Sequence, residues 1–192
     1  FIPKKHGYFL IAEDTVQQSE SLTRTVLEGF KYLGDRVNKY IFNAGGRFTQ
    51  YEKDYGELID ESEYVSFLTE LSTEIDERQE HGWDIATFVY IPEAHLLNNH
   101  ILTALELFKK VLGQGARNGI YIIFQGVQSS IESGFDEFNK RLRSNIPAGI
   151  FGTRVTDQNL VNVKIRIGEP IVALDEAYYF EIRDIKHIKL NQ

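Results

Sequence analysis

The chain has 192 residues, enough for one domain of ordinary size with a hydrophobic core. Hydrophobic residues make up 42% and charged residues 26% of the chain, which is typical of a soluble globular protein and not of a fibrous or disordered one. The net charge of −7 has the wrong sign for a domain that grips nucleic acid through its phosphates, so we expect no nucleic acid partner.

The absence of cysteine and methionine sets further limits. Without cysteine the chain has no disulfide bonds or thiolate metal sites, which suits a reducing cytoplasm. No apolar run approaches the roughly 18 residues that a membrane span needs. Because methionine is missing even from position 1, we expect residues 1–192 to be a single domain excised from a longer, multi-domain chain.

The first elements form a strand, a loop and a helix. Residues 8–12 are a continuous apolar run, which predicts a strand buried on both faces of a parallel sheet. The polar residues 13–20 predict a loop, and Leu22, Val26 and Phe30 follow at four-residue spacing, which predicts an amphipathic helix. A buried strand, a loop of this length and a helix are the frame of a phosphate-binding P-loop.

The loop lacks the residues that bind phosphate. In the pattern G-x-x-x-x-G-K-[ST], the glycines let backbone N–H groups surround the phosphates, the lysine supplies charge and the hydroxyl holds Mg²⁺. These four positions hold Glu13, Gln18, Ser19 and Glu20. A carboxylate about 4 Å from a phosphate costs roughly 4 kcal/mol at an effective dielectric constant of about 20. A micromolar ligand gains only about 8 kcal/mol in total. The two carboxylates, Glu13 and Glu20, together with the missing lysine, would cancel that gain. We therefore predict that this loop binds no nucleotide and no metal.

The same residues suit the start of a helix that has no ligand. Thr15 and Gln18 have the spacing of a capping box, and Glu20 in the first helical turn would complement the helix dipole. Each such interaction is worth roughly 0.5–1 kcal/mol. We expect the helix to begin on its own side chains in place of a phosphate.

The rest of the chain alternates apolar runs with amphipathic stretches. The predicted strands are residues 36–43, 86–91, 120–124 and 147–151, and the predicted helices are residues 62–79, 94–114 and 135–143. A C-terminal hairpin is predicted from residues 171–174 and 178–183, with a turn at residues 175–177. Buried strands that alternate with helices predict a parallel α/β sheet.

Residues 47–59 are the most irregular stretch. They mix Phe48, Tyr51 and Tyr55 with charged residues, and we interpret these aromatic side chains as plugs of the core, although contact points on the surface are the alternative.

Histidines and paired carboxylates show no catalytic spacing. The histidines are His6, His81, His95, His100 and His187, and we interpret them as surface residues because they form no metal-binding pattern. The Asp-Glu pairs at 60/61, 136/137 and 175/176 lie in predicted turns or helix starts and are interpreted as solvated caps.

Residues 7–26 resemble, without a gap, the Walker A segment of FtsK/SpoIIIE-type motor ATPases, whose pattern is roughly GHLLIVGDTxSGKSxLLRTL. The matching residues are Gly7, Leu10, Ile11, Asp14, Thr15, Leu22, Arg24 and Thr25. Among these motors the chain is most similar to a C-terminal ATPase-like domain of the EssC/EccC component of type VII secretion systems, in which degenerate nucleotide sites are a family trait. The resemblance implies an α/β, RecA-like P-loop NTPase fold with a central, mostly parallel sheet and helices on both faces.

The resemblance extends to the carboxyl end of the strand at residues 86–91, where an open parallel sheet binds its ligands. In the family this strand ends in the Walker B pair, an aspartate that holds Mg²⁺ through water and a glutamate that polarises the attacking water. Pro92 replaces the aspartate, and Glu93 keeps the position of the glutamate. Glu93 cannot hold a metal without its lysine, hydroxyl and aspartate partners. The chain is therefore predicted to be a pseudo-ATPase with no catalytic residue, cofactor or metal.

A second stretch of resemblance leads to the sensor position of the family. Residues 113–124 resemble the turn and strand that approach it, and Gln125 and Gln128 occupy the polar region that follows. Glutamine suits a sensor of the γ-phosphate, but without a phosphate cradle we interpret both residues as part of a surface turn.

The resemblance also implies a place in the cell and a set of partners. Such domains belong to a membrane-anchored, hexamer-forming motor, on the cytoplasmic side of the cell membrane and beside other ATPase domains of the same motor. They recognise secreted substrates of the small helical-hairpin class through a C-terminal signal. The surfaces expected to take part are residues 13–20 and 47–59.

Two alternatives stay open. One is a divergent, active ATPase that a neighbouring subunit completes with a lysine or arginine, with Glu93 as the surviving base. The other is an FtsK-like DNA translocase module, which the net charge disfavours.

Overall fold

A computed structural model of the chain describes residues 7–13, 16–51, 55–92, 101–127, 147–151, 176–181 and 184–189. The strands are β1 (Tyr8–Glu13), β2 (Asn38–Asn43), β3 (Glu57–Asp60), β4 (Thr87–Ile91), β5 (Ile120–Val127), β6 (Ala148–Phe151), β7 (Glu176–Glu181) and β8 (Asp184–Lys189). The α-helices are α1 (Val16–Leu33), α2 (Tyr64–His81) and α3 (Ile101–Gln114). Within these ranges, no helix is both long and apolar enough to span a bilayer.

The eight strands form one sheet in the order β3-β2-β4-β5-β1-β6-β7-β8. The first six strands in this order, β3, β2, β4, β5, β1 and β6, are parallel to one another. The hairpin of β7 and β8 adds two antiparallel strands at the edge next to β6. The prediction of a mostly parallel sheet is confirmed. The predicted strands that correspond to β1, β2, β4, β5 and β6 are all present.

Helices cover both faces of the sheet, as predicted. On one face, α2 and α3 pack against alternate strand residues; Leu10, Val89, Ile122, Leu71 and Phe108 belong to this core. On the other face, α1 packs against the intervening residues; Ile11, Tyr90, Ile123, Leu22 and Phe30 belong to that core. Because both faces are buried, the central strands are continuous apolar runs and not alternating ones.

The start of α1 differs from the prediction. The helix begins at Val16, so the loop after β1 is shorter than residues 13–20, and Glu20 lies in the second helical turn. The predicted position of Glu20 in the first helical turn, where it would complement the helix dipole, is therefore wrong, since no acidic residue lies in that turn. Gln and Glu are good helix formers, so a polar stretch at this place extends the helix instead of forming a loop.

Two strands were not predicted in their observed places. β3 (Glu57–Asp60) overlaps the end of the stretch 47–59 that was predicted to be irregular, and it has one buried residue, Ile59, too few for an alternating pattern. The hairpin joins residues 176–181 to residues 184–189, so Glu176 lies in a strand and not in a turn. β8 is an edge strand with several charged residues, so it contains no apolar run that would predict a strand. The predicted segments 135–143 and 171–174 lie outside the described residues.

At the amino edge of the parallel strands, an arginine ties α2 to the sheet. Arg78 donates hydrogen bonds to the Asn118 carbonyl at 2.7 Å, to the Thr87 hydroxyl at 2.8 Å and to the Glu74 carboxylate at 2.5 Å. The guanidinium carbon also lies 6.0 Å from the ring centroid of Trp83. We call these five residues the Arg78 cluster.

Candidate functional site

The carboxyl ends of β1, β4 and β5 lie side by side at the edge of the sheet where α1 begins. Gln125 of β5 is in register with Ile11 of β1, and Phe124 is in register with Ile91 of β4. Pro92 and Gln125 are thus the next residues of two neighbouring strands. This is the edge where open parallel sheets bind their ligands.

The predicted site residues are only partly described at this edge. Ser19 and Glu20 lie in the second turn of α1, Ser19 half-buried and Glu20 exposed, and Pro92 is buried at the end of β4. The side chains of Glu13, Asp14, Thr15 and Gln18, and the residues Glu93 and Gln128, lie outside the described residues.

Gln125 is not part of a surface turn, so that prediction is wrong. The residue lies inside β5 and is 1% exposed. β5 continues past the predicted end at Phe124 because Gln125, Gly126 and Val127 pair with residues of β1. An amide side chain at such a depth needs internal hydrogen-bond partners, since burying it unpaired costs about 1–3 kcal/mol.

Helix α1 and strand β4 supply those partners. The Tyr90 hydroxyl donates to Gln125 Oε1 at 2.5 Å. Gln125 Nε2 donates to Thr23 Oγ1 at 2.9 Å, to the Ser19 carbonyl oxygen at 3.1 Å and to Ser19 Oγ at 3.3 Å. The Tyr90 and Thr23 hydroxyl oxygens lie 3.1 Å apart. We call these four residues the Gln125 network; it is neutral and joins α1, β4 and β5.

A cleft opens beside the Gln125 network, between α1 and the segment that follows β2. Its volume is about 530 Å³, within the range of small-ligand sites. Ser19 and Thr23 of α1 lie on one wall, and Phe48 and Tyr51 lie on the other. Both signs of charge line it, from Glu20, Arg24, Glu28 and Arg47. The structure therefore brings together parts of the two stretches that were expected to act as surfaces, residues 13–20 and 47–59.

A buried asparagine holds the far wall of the cleft. Asn43 at the end of β2 donates from Nδ2 to Asp60 Oδ1 at 2.8 Å, and its Oδ1 accepts the backbone N–H of Phe48 at 2.9 Å. Phe48 is buried and packs edge-on against Tyr90, with ring centroids 6.3 Å apart. The interpretation of Phe48 as a core plug is confirmed.

The other two aromatic side chains of this stretch are only half-buried and line the cleft. The Tyr55 hydroxyl donates to Glu28 at 3.2 Å, and the Lys31 amine lies 5.7 Å from the Tyr55 ring centroid. Tyr51 and Tyr55 pack edge-on against each other with ring centroids 5.5 Å apart. Tyr55 thereby fastens the end of this segment to α1.

A tyrosine near the ends of β2 and β3 is held in its neutral form. Tyr64 stacks on Phe42 with ring centroids 4.2 Å apart. Burial raises the pKa of Tyr64, and the carboxylates of Glu61 and Asp60 raise it further. Asp60 accepts a hydrogen bond from Asn43, and its backbone N–H donates to Glu63 at 3.1 Å, so the interpretation of this Asp-Glu pair as a helix cap is confirmed.

The described histidines lie on the surface, as predicted. His81 ends α2, and His187 of β8 lies 3.0 Å from a carboxylate oxygen of Glu176. Among the residues that the structure describes, no group of three or more histidine or carboxylate side chains is placed to hold a metal ion.

Comparisons with known proteins find relatives by sequence and by structure. No protein-family model matches the chain. The type VII secretion system protein EssC of Staphylococcus aureus strain MRSA252 is 24% identical over 182 residues, which is 90% of this chain and 12% of that protein. The cytoplasmic domain of EssC superposes with a TM-score of 0.72 at 14% identity, over 97% of this chain and 38% of that chain. These matches support an EssC/EccC-type ATPase domain.

Two further structures have a similar fold. The EccC protein of Thermomonospora curvata (ATPases 2 and 3), in complex with a signal sequence peptide, matches with a TM-score of 0.67 at 11% identity, over 99% of this chain and 37% of that chain. The conjugation coupling protein TcpA of pCW3, with ATPγS, matches with a TM-score of 0.72 at 16% identity, over 97% of this chain and 60% of that chain. The predicted family and the predicted FtsK/SpoIIIE-type α/β fold are confirmed. The chain spans only 12% of the length of the curated relatives.

Proposed function

We propose that the chain is a catalytically inactive ATPase-like domain of a type VII secretion motor, acting in substrate recognition or in the regulation of protein export. The observation that carries this proposal is the contact of Gln125 with Ser19. Ser19 occupies the position of the P-loop lysine and supplies no positive charge. Its carbonyl and hydroxyl oxygens accept hydrogen bonds from the sensor-position amide.

The neighbouring positions support the same conclusion. Glu20 places an exposed carboxylate where the P-loop has the hydroxyl that binds Mg²⁺, and Pro92 has no side-chain oxygen where the Walker B aspartate would stand. Inside the protein, the Gln125 amide nitrogen donates to Thr23 of α1, and the amide oxygen accepts from Tyr90 of β4. Mg-ATP would meet a carboxylate and a neutral serine in place of a cation and a hydroxyl, and like charges at about 4 Å cost roughly 4 kcal/mol each.

The proposed partners follow from the relatives. An EccC structure holds a signal sequence peptide, so we propose that this domain takes part in recognising the C-terminal signal of secreted helical-hairpin substrates. Its other partners would be further ATPase domains of the same motor, assembled as a hexamer on the cytoplasmic side of the membrane. The net charge of −7 argues against nucleic acid as a partner.

Thermal unfolding with and without Mg-ATP tests the inactive site. A ligand at 100 times its Kd stabilises a protein by about 2.7 kcal/mol. In a domain of this size that corresponds to a rise in Tm of about 5–10 °C. We expect no rise at 1 mM Mg-ATP, whereas a Kd near 10 μM would give the full shift. Such a shift, with saturable heat in calorimetry, would contradict the proposal and favour the divergent ATPase completed by a neighbouring subunit.

Calorimetry with a substrate peptide tests the proposed role. The titrant is the C-terminal peptide of a small helical-hairpin substrate, and the control is the same peptide with its sequence scrambled. We expect saturable heat from the first peptide only. Equal signals, or none, would remove substrate recognition and leave regulation of the neighbouring ATPase domains. A gel shift at low salt with double-stranded DNA is expected to be negative, and a positive result would favour the translocase alternative.

A further inference from the structure

The Gln125 network ties three elements that are distant in the sequence. Tyr90 comes from β4, Gln125 from β5, and Ser19 and Thr23 from α1. Ser19 and Thr23 are four residues apart, so they lie on the same face of the helix. The Gln125 amide group lies within hydrogen-bond distance of both, with Thr23 the nearer at 2.9 Å.

The hydrogen bonds of the network close into a ring. The Tyr90 hydroxyl donates to Gln125 Oε1, and Gln125 Nε2 donates to Thr23 Oγ1. The Thr23 hydroxyl can then donate to the Tyr90 hydroxyl oxygen, because the two oxygens lie 3.1 Å apart. Within this ring Tyr90, Gln125 and Thr23 each donate once and accept once, and Gln125 Nε2 donates in addition to Ser19. A hydrogen-bonded network in which the buried amide is satisfied holds its members in one arrangement.

The position of the ring along α1 gives it a role. In a phosphate-binding loop the ligand holds the start of the helix through its backbone N–H groups. Among the α1 side chains that the structure describes, from residue 19 onward, the buried apolar anchors are Leu22, Leu27 and Phe30, and the turn that carries Ser19 precedes them. Ser19 and Thr23 also line the cleft, so whatever holds them sets the shape of that wall.

We propose that Gln125 is an internal latch that holds the N-terminal half of α1 against β4 and β5 and fixes one wall of the cleft without a nucleotide. Gln125 is thus a positioning residue that does, from inside the protein, what a bound phosphate does for a working P-loop. The latch goes beyond the proposed function, because it concerns how the cleft keeps its shape. It does not depend on which partner the cleft binds. A wall fixed in advance lowers the ordering cost of binding a partner.

Amide hydrogen exchange of two variants tests the latch. Gln125→Leu removes the amide at similar volume, and Thr23→Val removes one hydroxyl while keeping the branched shape. We expect the amides of residues 19–26 to exchange roughly ten-fold faster or more in Gln125→Leu, and several-fold faster in Thr23→Val, because local opening no longer has to break the ring. Amides of α2 and α3 should change less than about two-fold.

The matched control is Gln114→Leu, which makes the same chemical change at an exposed hydrogen bond. Gln114 Oε1 accepts from Gln79 Nε2 at 2.7 Å on the surface. This variant should leave exchange in residues 19–26 unchanged. Equal acceleration of all elements in the Gln125 and Thr23 variants would show a general loss of stability and overturn the latch, and so would unchanged exchange in α1.

The double variant Gln125→Leu/Thr23→Val adds an independent criterion. Both changes break the same ring, so the double variant should exchange in α1 no faster than Gln125→Leu alone. Multiplied single effects would mean that the two residues act separately, which overturns the latch. Exchange is measured without nucleotide, so failure of the latch and failure of the inactive site give different results. If Gln125→Leu does not fold, the milder Thr23→Val decides the outcome alone.

Discussion

The two edges of the parallel sheet are fastened by different chemistry. At the amino edge the Arg78 cluster ties α2 to Thr87, the first residue of β4. At the carboxyl edge the Gln125 network ties α1 to Tyr90, three residues further along the same strand. The first contains a guanidinium and a carboxylate, and the second contains only hydroxyl, amide and carbonyl groups.

The two edges differ in how much stability a lost contact would cost. A charged group that loses its partner inside a protein costs more than a neutral one. The amino edge, away from the ligand edge of open α/β sheets, has the more costly fastening. The carboxyl edge has the milder one. Substitution of P-loop residues can therefore alter ligand chemistry at the carboxyl edge while the fold survives.

The largest expected effect comes from breaking the Arg78 cluster. The Arg78 side chain is 9% exposed, and its partner Glu74 is 31% exposed. Arg78→Met keeps much of the volume but removes the guanidinium that donates to Glu74, to Thr87 and to the Asn118 carbonyl, and it leaves Glu74 only the 3.5 Å hydrogen bond from the Thr87 hydroxyl. We expect the free energy of unfolding to fall by about 3 kcal/mol, at the low end for a broken buried ion pair because Glu74 retains some contact with water. Urea unfolding followed by circular dichroism measures it.

Lys110→Met is the control for Arg78→Met. Lys110 of α3 forms an ion pair with Asp76 of α2 at 2.6 Å, but the Asp76 side chain is 64% exposed. We expect a loss below about 1 kcal/mol, since exposed ion pairs contribute little. Equal losses for the two variants would remove the contrast between an ion pair with a buried cation and an ion pair with an exposed carboxylate.

A glycine behind the Arg78 cluster gives the next largest effect. Gly119 has φ of +71°, and a Cβ atom there would lie 2.6 Å from the Trp83 ring. Gly119→Ala therefore combines backbone strain of about 1–2 kcal/mol with displacement of the ring that stacks on Arg78. We expect a total loss of roughly 2–3 kcal/mol, together with a blue or red shift of Trp83 fluorescence as its surroundings change. Trp83 is the only tryptophan, so the signal is unambiguous.

Gly113→Ala is the matched control in the neighbouring helix. Gly113 lies in α3, and a Cβ atom there would meet nothing within 4 Å. Alanine should stabilise the helix by up to about 1 kcal/mol. A loss of stability at position 113 as large as that at position 119 would mean that helix α3 and the turn after it tolerate no substitution, and would refute the explanation based on φ and Trp83.

The central strands could be predicted from the sequence because their environment is uniform. Residues 8–12, 86–91 and 120–124 are buried on both faces, so they are apolar without interruption. The end of α2 at Gly82, with φ of +80°, was predictable for a similar reason, since glycine adopts that conformation readily.

The candidate site was less predictable because its polar residues depend on partners far along the chain. Gln125 can be buried because Tyr90 donates to its amide oxygen, and because Ser19 and Thr23, more than 100 residues earlier, accept from its amide nitrogen. Asn43 likewise depends on Asp60 and on the backbone of Phe48. A local pattern assigns such residues to turns, as it did for Gln125. The one available signal was their position directly after a buried run, at the ligand edge of the sheet.

The smallest expected effect comes from the neutral side of the comparison. Tyr90→Phe removes the hydroxyl that donates to Gln125 and contacts Thr23, and it leaves the buried ring in place. We expect a loss of about 1–2 kcal/mol in the free energy of unfolding, because one buried acceptor loses its donor and no charge is stranded. Tyr32→Phe, at a side chain that is 83% exposed, should cost nothing measurable. If Tyr90→Phe cost as much as Arg78→Met, the carboxyl edge would be as firmly fastened as the amino edge. The proposed difference in cost between a neutral and a charged contact at the two edges would then be refuted.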